Sequence, residues 1–337
     1  MKDYPIDFVV TWVDGNDPVW QAEKAKYSSK SYADNRKVRY RDWENMQYWF
    51  RAVEKFAPWV NKIHFVTYGH IPKWLNTDNP KLDIARHADF IPSEYLPTFN
   101  ARPIEINIHR IKGLADRFVY FCDDMFLLQP VEKTFFFNCE KFLPTDFVIS
   151  STLSVTEKYD TVQFTKFNDI VILNSHFDKK EQVKKNFSKW VNPAYGWNAL
   201  RNLILMGEHH FKCLSNNHLP FSFLKSTYED LWNNEFDELN ETCTHKFRTR
   251  YDLNHWLFRY WQLAKGDFYP IGRHKKGRVY EVYNGVVQNE GLFSIIENQQ
   301  IPIICINDNE NVDFEPMQKQ LNAAFEKILP EKSSFEK

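Results

Sequence analysis

Glycine is scarce in this chain, ten residues in 337, and no GxGxxG occurs. The tight phosphate turn of a dinucleotide-binding strand–helix unit is therefore not available. The nearest approach to a nucleotide-phosphate loop is GRHKKGRV (272–279), but Arg278 and Val279 stand where a lysine and a hydroxyl residue belong. It reads as a basic loop. The five cysteines, at 122, 139, 213, 243 and 305, are single and show no CxxC spacing. That excludes a disulfide framework or zinc ribbon and fits free thiols in a reducing compartment. Long apolar runs are absent too: FVYFC and IPIICI fall far short of the roughly 18 residues that span a bilayer. Neither charge is in surplus, with 43 Lys and Arg against 44 Asp and Glu, so the basic excess of a nucleic-acid binder is missing and no nucleic-acid partner is expected. The opening MKDYPIDFVV lacks the apolar core of a secretory signal. The expected location is the cytoplasm, either free or peripheral at the inner face of the cytoplasmic membrane.

What is present is core-forming material. Hydrophobic residues make up 43% and aromatics 17% of the chain, which excludes a disordered polypeptide. IDFVVTWV reads as a buried strand, β-branched and bounded by turn residues. RDWENMQYWFRAVEKFAPWV places Trp43, Met46, Trp49, Phe50, Val53 and Phe56 at a helical period, ended near Pro58. KIHFVTYG reads as a second strand, LDIARHADFI holds a short third, and TFNARPIEINIHRI is a helix after Pro103 that stops at Gly113. DRFVYFCDD gives the clearest strand. Alternating strands and helices over the first 128 residues predict an α/β fold with a largely parallel sheet. The stretch from 131 to 215 has little pattern, and its KKNFSKW reads as solvated helix or loop. TYEDLWNNEFDEL and DLNHWLFRYWQLAKG read as helices, and IPIICINDNE as a late strand. DFEPMQKQLNAAFEKIL aligns Phe314, Met317, Leu321, Phe325 and Ile328 on one face of a helix that should dock on the core. One catalytic domain is expected, with 1–130 and 215–312 as the α/β core, 131–214 as an inserted helical region, and 313–337 as C-terminal helix and tail.

Three apolar runs end in acids: TWVDGND, YFCDD and ICIND. In parallel α/β sheets ligands bind beyond the carboxyl ends of the strands. Asp14, Asp17, Asp123 and Asp124 would share that edge if their two strands are neighbours. Paired carboxylates there can hold Mg²⁺ or Mn²⁺ against a diphosphate, since hard cations take oxygen ligands and keep phosphates in their shell. RKVRYRDWEN carries Arg36, Arg39 and Arg41, and CTHKFRTRYD carries His245, Lys246, Arg248 and Arg250. Guanidinium forks match phosphate oxygens. His218, in NNHLPF, lies in an expected polar loop, and histidine is the usual general base near neutrality.

With these residues in view, the chain resembles the Stealth family of sugar-phosphate transferases. DFVVTWVDGNDPVW resembles its first block. RYRDWENMQYWFRAVEKFAPWVNKIHFVTYGHIPKWLN, continued by LPTFNARPIEINIHRIKGLADRFVYFCDDMFLLQPV, resembles the second. NNHLPFSFLKSTYEDLWNNEF with THKFRTRYDLNHWLFRYW resembles the third, and CINDN the fourth. The resemblance implies a Rossmann-like sheet akin to the GT-A core of nucleotide-sugar transferases. It implies transfer of a sugar 1-phosphate from a UDP-sugar to a hydroxyl of a glycan acceptor, lipid-linked or polymeric, in capsule or surface-polysaccharide synthesis. Carried over by motif, Asp123, Asp124 and Asp308 are the metal and phosphate acids, and His218 and Arg248 the catalytic histidine and arginine. Asp14, Asp17, Arg39, Arg41, Asn100, Arg102 and His245 are expected at the substrate. Two departures stand out. Cys122 replaces the asparagine common before the acid pair, and Ala101-Arg102 replaces a serine and a histidine, so Arg102 is a candidate for altered donor or acceptor choice.

The competing expectation is a metal-dependent glycosyltransferase, which attacks the anomeric carbon and releases UDP. A non-catalytic carbohydrate-binding protein, using its eleven tryptophans, would not need the acids, arginines and histidine together.

Overall fold

The computed structural model describes residues 4–28, 36–154, 161–285 and 287–337; the first three residues of the N-terminal stretch discussed above lie outside them. The hydrophobic run at the start forms β1 (Asp7–Thr11) at the centre of a five-stranded sheet. The other strands are β2 (Ile63–Thr67), β3 (Leu82–Arg86), β4 (Arg117–Phe121) and β6 (Phe221–Leu224), in the order β3-β2-β1-β4-β6. The first four are parallel and β6 is antiparallel to β4. A second sheet places β8 (Ile303–Asn307) between β5 (Met125–Leu127) and β7 (Arg278–Glu281). The expected α/β class with a mostly parallel sheet is the observed one.

The period of two along β1 assigns its side chains to two cores. Phe8 and Val10 join Phe65, Val119 and Phe121 on one face. Val9 joins Val66, Phe118 and Tyr120 on the other. The first core is covered by α2 (Met46–Phe56), whose Met46, Trp49, Phe50, Val53 and Phe56 are buried. The C-terminal helix Phe314–Ile328 docks on it through Met317, Leu321, Phe325 and Ile328. The second core is covered by the helix His255–Lys265, buried nearly all round.

Several elements differ from expectation for local reasons. Helix α1 (Pro18–Tyr27) buries only Trp20, so it has no apolar stripe to read; it is started by the Asp17 cap and Pro18. Helix α3 begins at Ala101, two residues before Pro103, because Asn100 caps it, and it ends at Asn107. The stretch TYEDLWNNEFDEL divides into Lys225–Asn234 and Phe236–Thr244, broken at Glu235. His218 lies in a loop, as expected, and the segment after it, to which the sequence assigned no element, forms β6: FSFL alternates two phenylalanines with a buried serine against β4. The poorly patterned middle contains the sixteen-residue α4 (Thr161–His176), α5 (Lys179–Lys185) and α6 (Trp197–Ile204).

Candidate active site

The pairing of β1 with β4 sets Thr11-Trp12 beside Cys122-Asp123-Asp124 at one sheet edge. There a cleft of about 760 Å³ opens, lined by both segments together with Arg39, Arg41, Asp42, Arg102, Glu105, His218, Arg248, His255 and Asp308. Asp308 arrives from the second sheet. The turn from β4 into β5 makes this possible: the Asp124 carbonyl accepts from Ile306 N at 2.9 Å, which ties the end of β8 to the acid pair.

The acids crowd one another. Burial, then the charges of Asp124 and Asp42, push the Asp123 carboxyl up to about 7. Asp308 is also raised, chiefly by burial, with Arg41 opposing. Arg41 Nε stands 3.1 Å from Asp308 Oδ2. His218 Nε2 lies 3.2 Å from Asp124 Oδ2. Burial disfavours the His218 imidazolium, but Asp124 outweighs it and the pKa is raised. The remaining oxygen, Asp124 Oδ1, is buried without a hydrogen-bond donor. An unsatisfied buried carboxylate oxygen beside a second acid whose ionisation is disfavoured by burial and like charge is a costly arrangement that a cation relieves. The donor set fits a divalent ion on that ground. The ligating atoms are arranged differently from the expected trio, however. Among the described residues, the group whose donor atoms lie within 4.8 Å of one another is Cys122, Asp124 and His218, because Asp308 is turned toward Arg41.

His218 precedes β6, and its approach is held from below the sheet. Arg259 makes a buried two-bond ion pair with Asp146, at 2.8 and 3.0 Å. Its remaining nitrogen donates to Ser215 O and Asn216 Oδ1. That fixes the chain two residues ahead of His218.

Arg248 lines the cleft from a loop organised by Asp252. The Asp252 carboxylate is fully buried. It accepts from Thr249 N and Oγ1, from His245 Nδ1 at 2.7 Å, from Arg102 Nη1 at 2.8 Å and from Asn100 Nδ2 at 3.0 Å. Three expected substrate residues thus converge on a buried acid. Arg102 also donates to Thr249 O and Thr161 O, so its fork is committed inside the protein. Asn100 and His245 are not among the residues lining the cleft. Asn100 and His245 thus support the Arg248 loop from outside the cleft, whereas Arg102 does both, lining the cleft while its guanidinium is bonded to Asp252, Thr249 and Thr161.

Asp14 and Asp17 are likewise placed outside the cleft lining. Asp14 Oδ1 accepts from Asn16 N at 2.8 Å, closing a turn, and Asp17 Oδ1 accepts from Trp20 N at 2.7 Å, capping α1. Short polar side chains after a strand are suited to both jobs. Gly15 belongs to the same turn: a Cβ there would sit 1.9 Å from the Tyr40 carbonyl oxygen. The segment DFVVTWVDGNDPVW contributes Thr11, Trp12, Val13 and Trp20 to the cleft.

One pair escaped sequence reasoning. Glu105 Oε2 and His255 Nδ1 are 2.7 Å apart, both buried, and His255 Nε2 has no partner. Tyr120 links Glu105 to Thr11. Despite burial, His255 and Arg248 hold the Glu105 carboxyl below its usual range. The signal was a glutamate between isoleucines in PIEIN and a histidine opening the apolar helix HWLFRYW.

The chain matches two family models, "Stealth protein CR1, conserved region 1" over residues 4–32 and "Stealth protein CR2, conserved region 2" over residues 39–144. It is 42% identical over 338 residues to the capsular polysaccharide phosphotransferase WcwK of Streptococcus pneumoniae, covering 98% of both chains. It is 42% identical over 338 residues to the receptor polysaccharide phosphotransferase WefC of Streptococcus oralis, covering 98% of this chain and 99% of the relative. To the exopolysaccharide phosphotransferase cps2G of Lactiplantibacillus plantarum it is 38% identical over 337 residues, covering 99% and 97%.

Proposed function

The chain belongs to the Stealth family of phosphotransferases, and from that premise we propose that it transfers a hexose 1-phosphate from a UDP-sugar to a hydroxyl of a surface glycan. The observation that carries this reading is the cleft itself, where Asp123, Asp124, Asp308, Arg41, His218 and Arg248 meet. In the proposed step the acceptor oxygen bonds to the β-phosphorus. The bond from that phosphorus to the α–β bridging oxygen breaks, its electron pair leaves with UMP, and a phosphodiester remains. Such transfer is mainly positioning and charge stabilisation. Arg248 meets the non-bridging oxygens with a planar fork that suits two of them, and Arg39 and Arg41 extend the positive wall. The acceptor proton passes to His218, or to one of the cleft aspartates. Asp124, with Asp123 beside it, would hold Mg²⁺ or Mn²⁺, and Asp308 would join them by turning from Arg41; the ion when bound neutralises diphosphate charge.

The test is turnover of a panel of UDP-sugars with a glycan acceptor, separating the nucleotide products. UMP supports this reading. UDP as the product would make the chain an ordinary glycosyltransferase instead. Chelation of divalent ions should abolish turnover, and full activity in excess EDTA would remove the metal from the account.

A further inference from the structure

Helix α6 (Trp197–Ile204) has its amphipathicity turned inside out. Its buried side chain is a polar one, Asn202. The Asn202 amide accepts from Ser150 N at 2.9 Å and donates to Val148 O at 2.8 Å and Trp190 O at 2.7 Å. That three-bond anchor fixes which way the helix faces. At about 100° per residue, Leu203, Leu200, Ile204 and Trp197 then fall in one stripe roughly 120° wide, away from Asn202. The stripe is open to solvent: Trp197 is 88% and Ile204 72% exposed, and Leu200 and Leu203 are exposed as well. Trp197, Leu200 and Ile204 also form one wall of a separate groove of about 460 Å³.

The surroundings are basic. Between residues 178 and 212 there are seven Lys and Arg against three Asp and Glu, in a chain whose net charge is −1. Arg201 and Lys212 line the groove with the stripe. The groove's acid, Glu208, is already occupied by Lys212 at 2.6 Å and Lys179 at 3.3 Å. A helix Lys179–Lys185, with Lys180, Lys184 and Lys185 exposed, packs on the turn that follows α6. An apolar stripe with an edge tryptophan, set among lysines, matches the chemistry of an interfacial helix on an anionic bilayer. No helix among the described residues is long and apolar enough to cross a membrane, so contact of this kind would be peripheral.

We propose that the α6 face docks the protein on an anionic lipid surface, inserting Trp197, Leu200 and Ile204 at the headgroup boundary while the neighbouring lysines meet lipid phosphates. The site is separate from the catalytic cleft, and its test needs no substrate, so it stands or falls apart from the transfer chemistry.

The experiment is co-sedimentation of the full chain with phosphatidylcholine vesicles, with and without phosphatidylglycerol. Binding should require phosphatidylglycerol and weaken as salt rises. The double substitution Trp197→Ser/Ile204→Ser should weaken it by roughly tenfold or more. Its melting temperature should match the parent's, because both side chains lie outside the core. Arg201→Glu/Lys212→Glu should remove most of the salt-dependent part. A parent chain that stays in the supernatant with phosphatidylglycerol vesicles overturns the proposal, as does a double variant that binds like the parent. Sedimentation showing a dimer that the double variant abolishes, without vesicle binding, also overturns it and assigns the stripe to a second copy of the chain.

Discussion

Arg102 Nη1 and Asp252 Oδ2 meet at 2.8 Å, both buried, in the scaffold of the loop that carries Arg248. Because Asn100, His245 and Thr249 bond the same carboxylate, Asp252 acts on the cleft through the position of Arg248. Asp252→Asn keeps the shape but leaves a buried guanidinium without its counter-charge. Breaking such a pair costs about 3–5 kcal/mol. Urea unfolding should show a loss of that order. In the fraction still folded, kcat should fall while donor affinity changes little. Unaltered stability would contradict a buried ionic scaffold here.

Arg248→Lys should leave folding intact and depress kcat. Lysine keeps the charge but loses the planar fork. The loss falls on kcat if the contact tightens in the transition state. Steady-state kinetics on the two proteins check it, and equal kcat and kcat/KM would place Arg248 away from the reacting phosphate.

His218→Ala should cut transfer by roughly 10²- to 10⁴-fold if the imidazole accepts the acceptor's proton, with UDP-sugar binding near normal by calorimetry. His218→Gln should not restore activity, since an amide hydrogen-bonds but takes up no proton. A folded alanine variant with parental turnover would move the proton to an aspartate. Asp123 and Asp308 line the cleft and are then first in line, whereas Asp14 does not line it.

The strand ends were legible in the sequence because their signals are local: an apolar run, then acids. β1 and β4 and the edge they form follow from that, as does the meeting of Asp123 and Asp124 with the end of β1; β2 is legible from its apolar run and the Gly69 that closes it. What the sequence concealed is the use to which each polar residue is put. Asp14 and Asp123 both follow strands, yet one closes a turn and the other faces the cleft, and only the chain's return path separates them. Asn100, Arg102 and His245 stand in motif segments, but their convergence on Asp252 depends on packing between α3 and a loop some 150 residues later, which no local period encodes. β6 was hidden by brevity: four residues after a proline carry too few alternations to distinguish strand from loop.

The trio Asp7–His64–Asp83, with Asp7 and His64 buried and Asp83 partly exposed, should give stability its own pH dependence. His64 Nε2 lies 3.0 Å from Asp7 Oδ2 and its Nδ1 2.7 Å from Asp83 Oδ2. Burial opposes the His64 charge, but the two carboxylates outweigh it and raise its pKa above the ordinary 6.5. Its contribution is therefore complete below 6.5 and is lost as pH rises through the raised folded value. Burial raises Asp7, yet bonds from His64, Asn61 and Ala115 bring it below 3.8; Asp83 is lowered first by its His64 bond. Their contribution is complete above 3.8 and is lost as pH falls through the lowered values. Melting curves of parent and His64→Gln should differ most near about pH 5 and converge at both extremes. A difference independent of pH would contradict a charged trio.

The fate of the donor's β-phosphorus tests the central claim most directly. A UDP-sugar radiolabelled at that atom, incubated with enzyme and glycan acceptor, should deliver the label to the glycan in a phosphodiester that resists phosphatase, leaving unlabelled UMP. Label retained in UDP, with unlabelled sugar on the glycan, would contradict sugar 1-phosphate transfer.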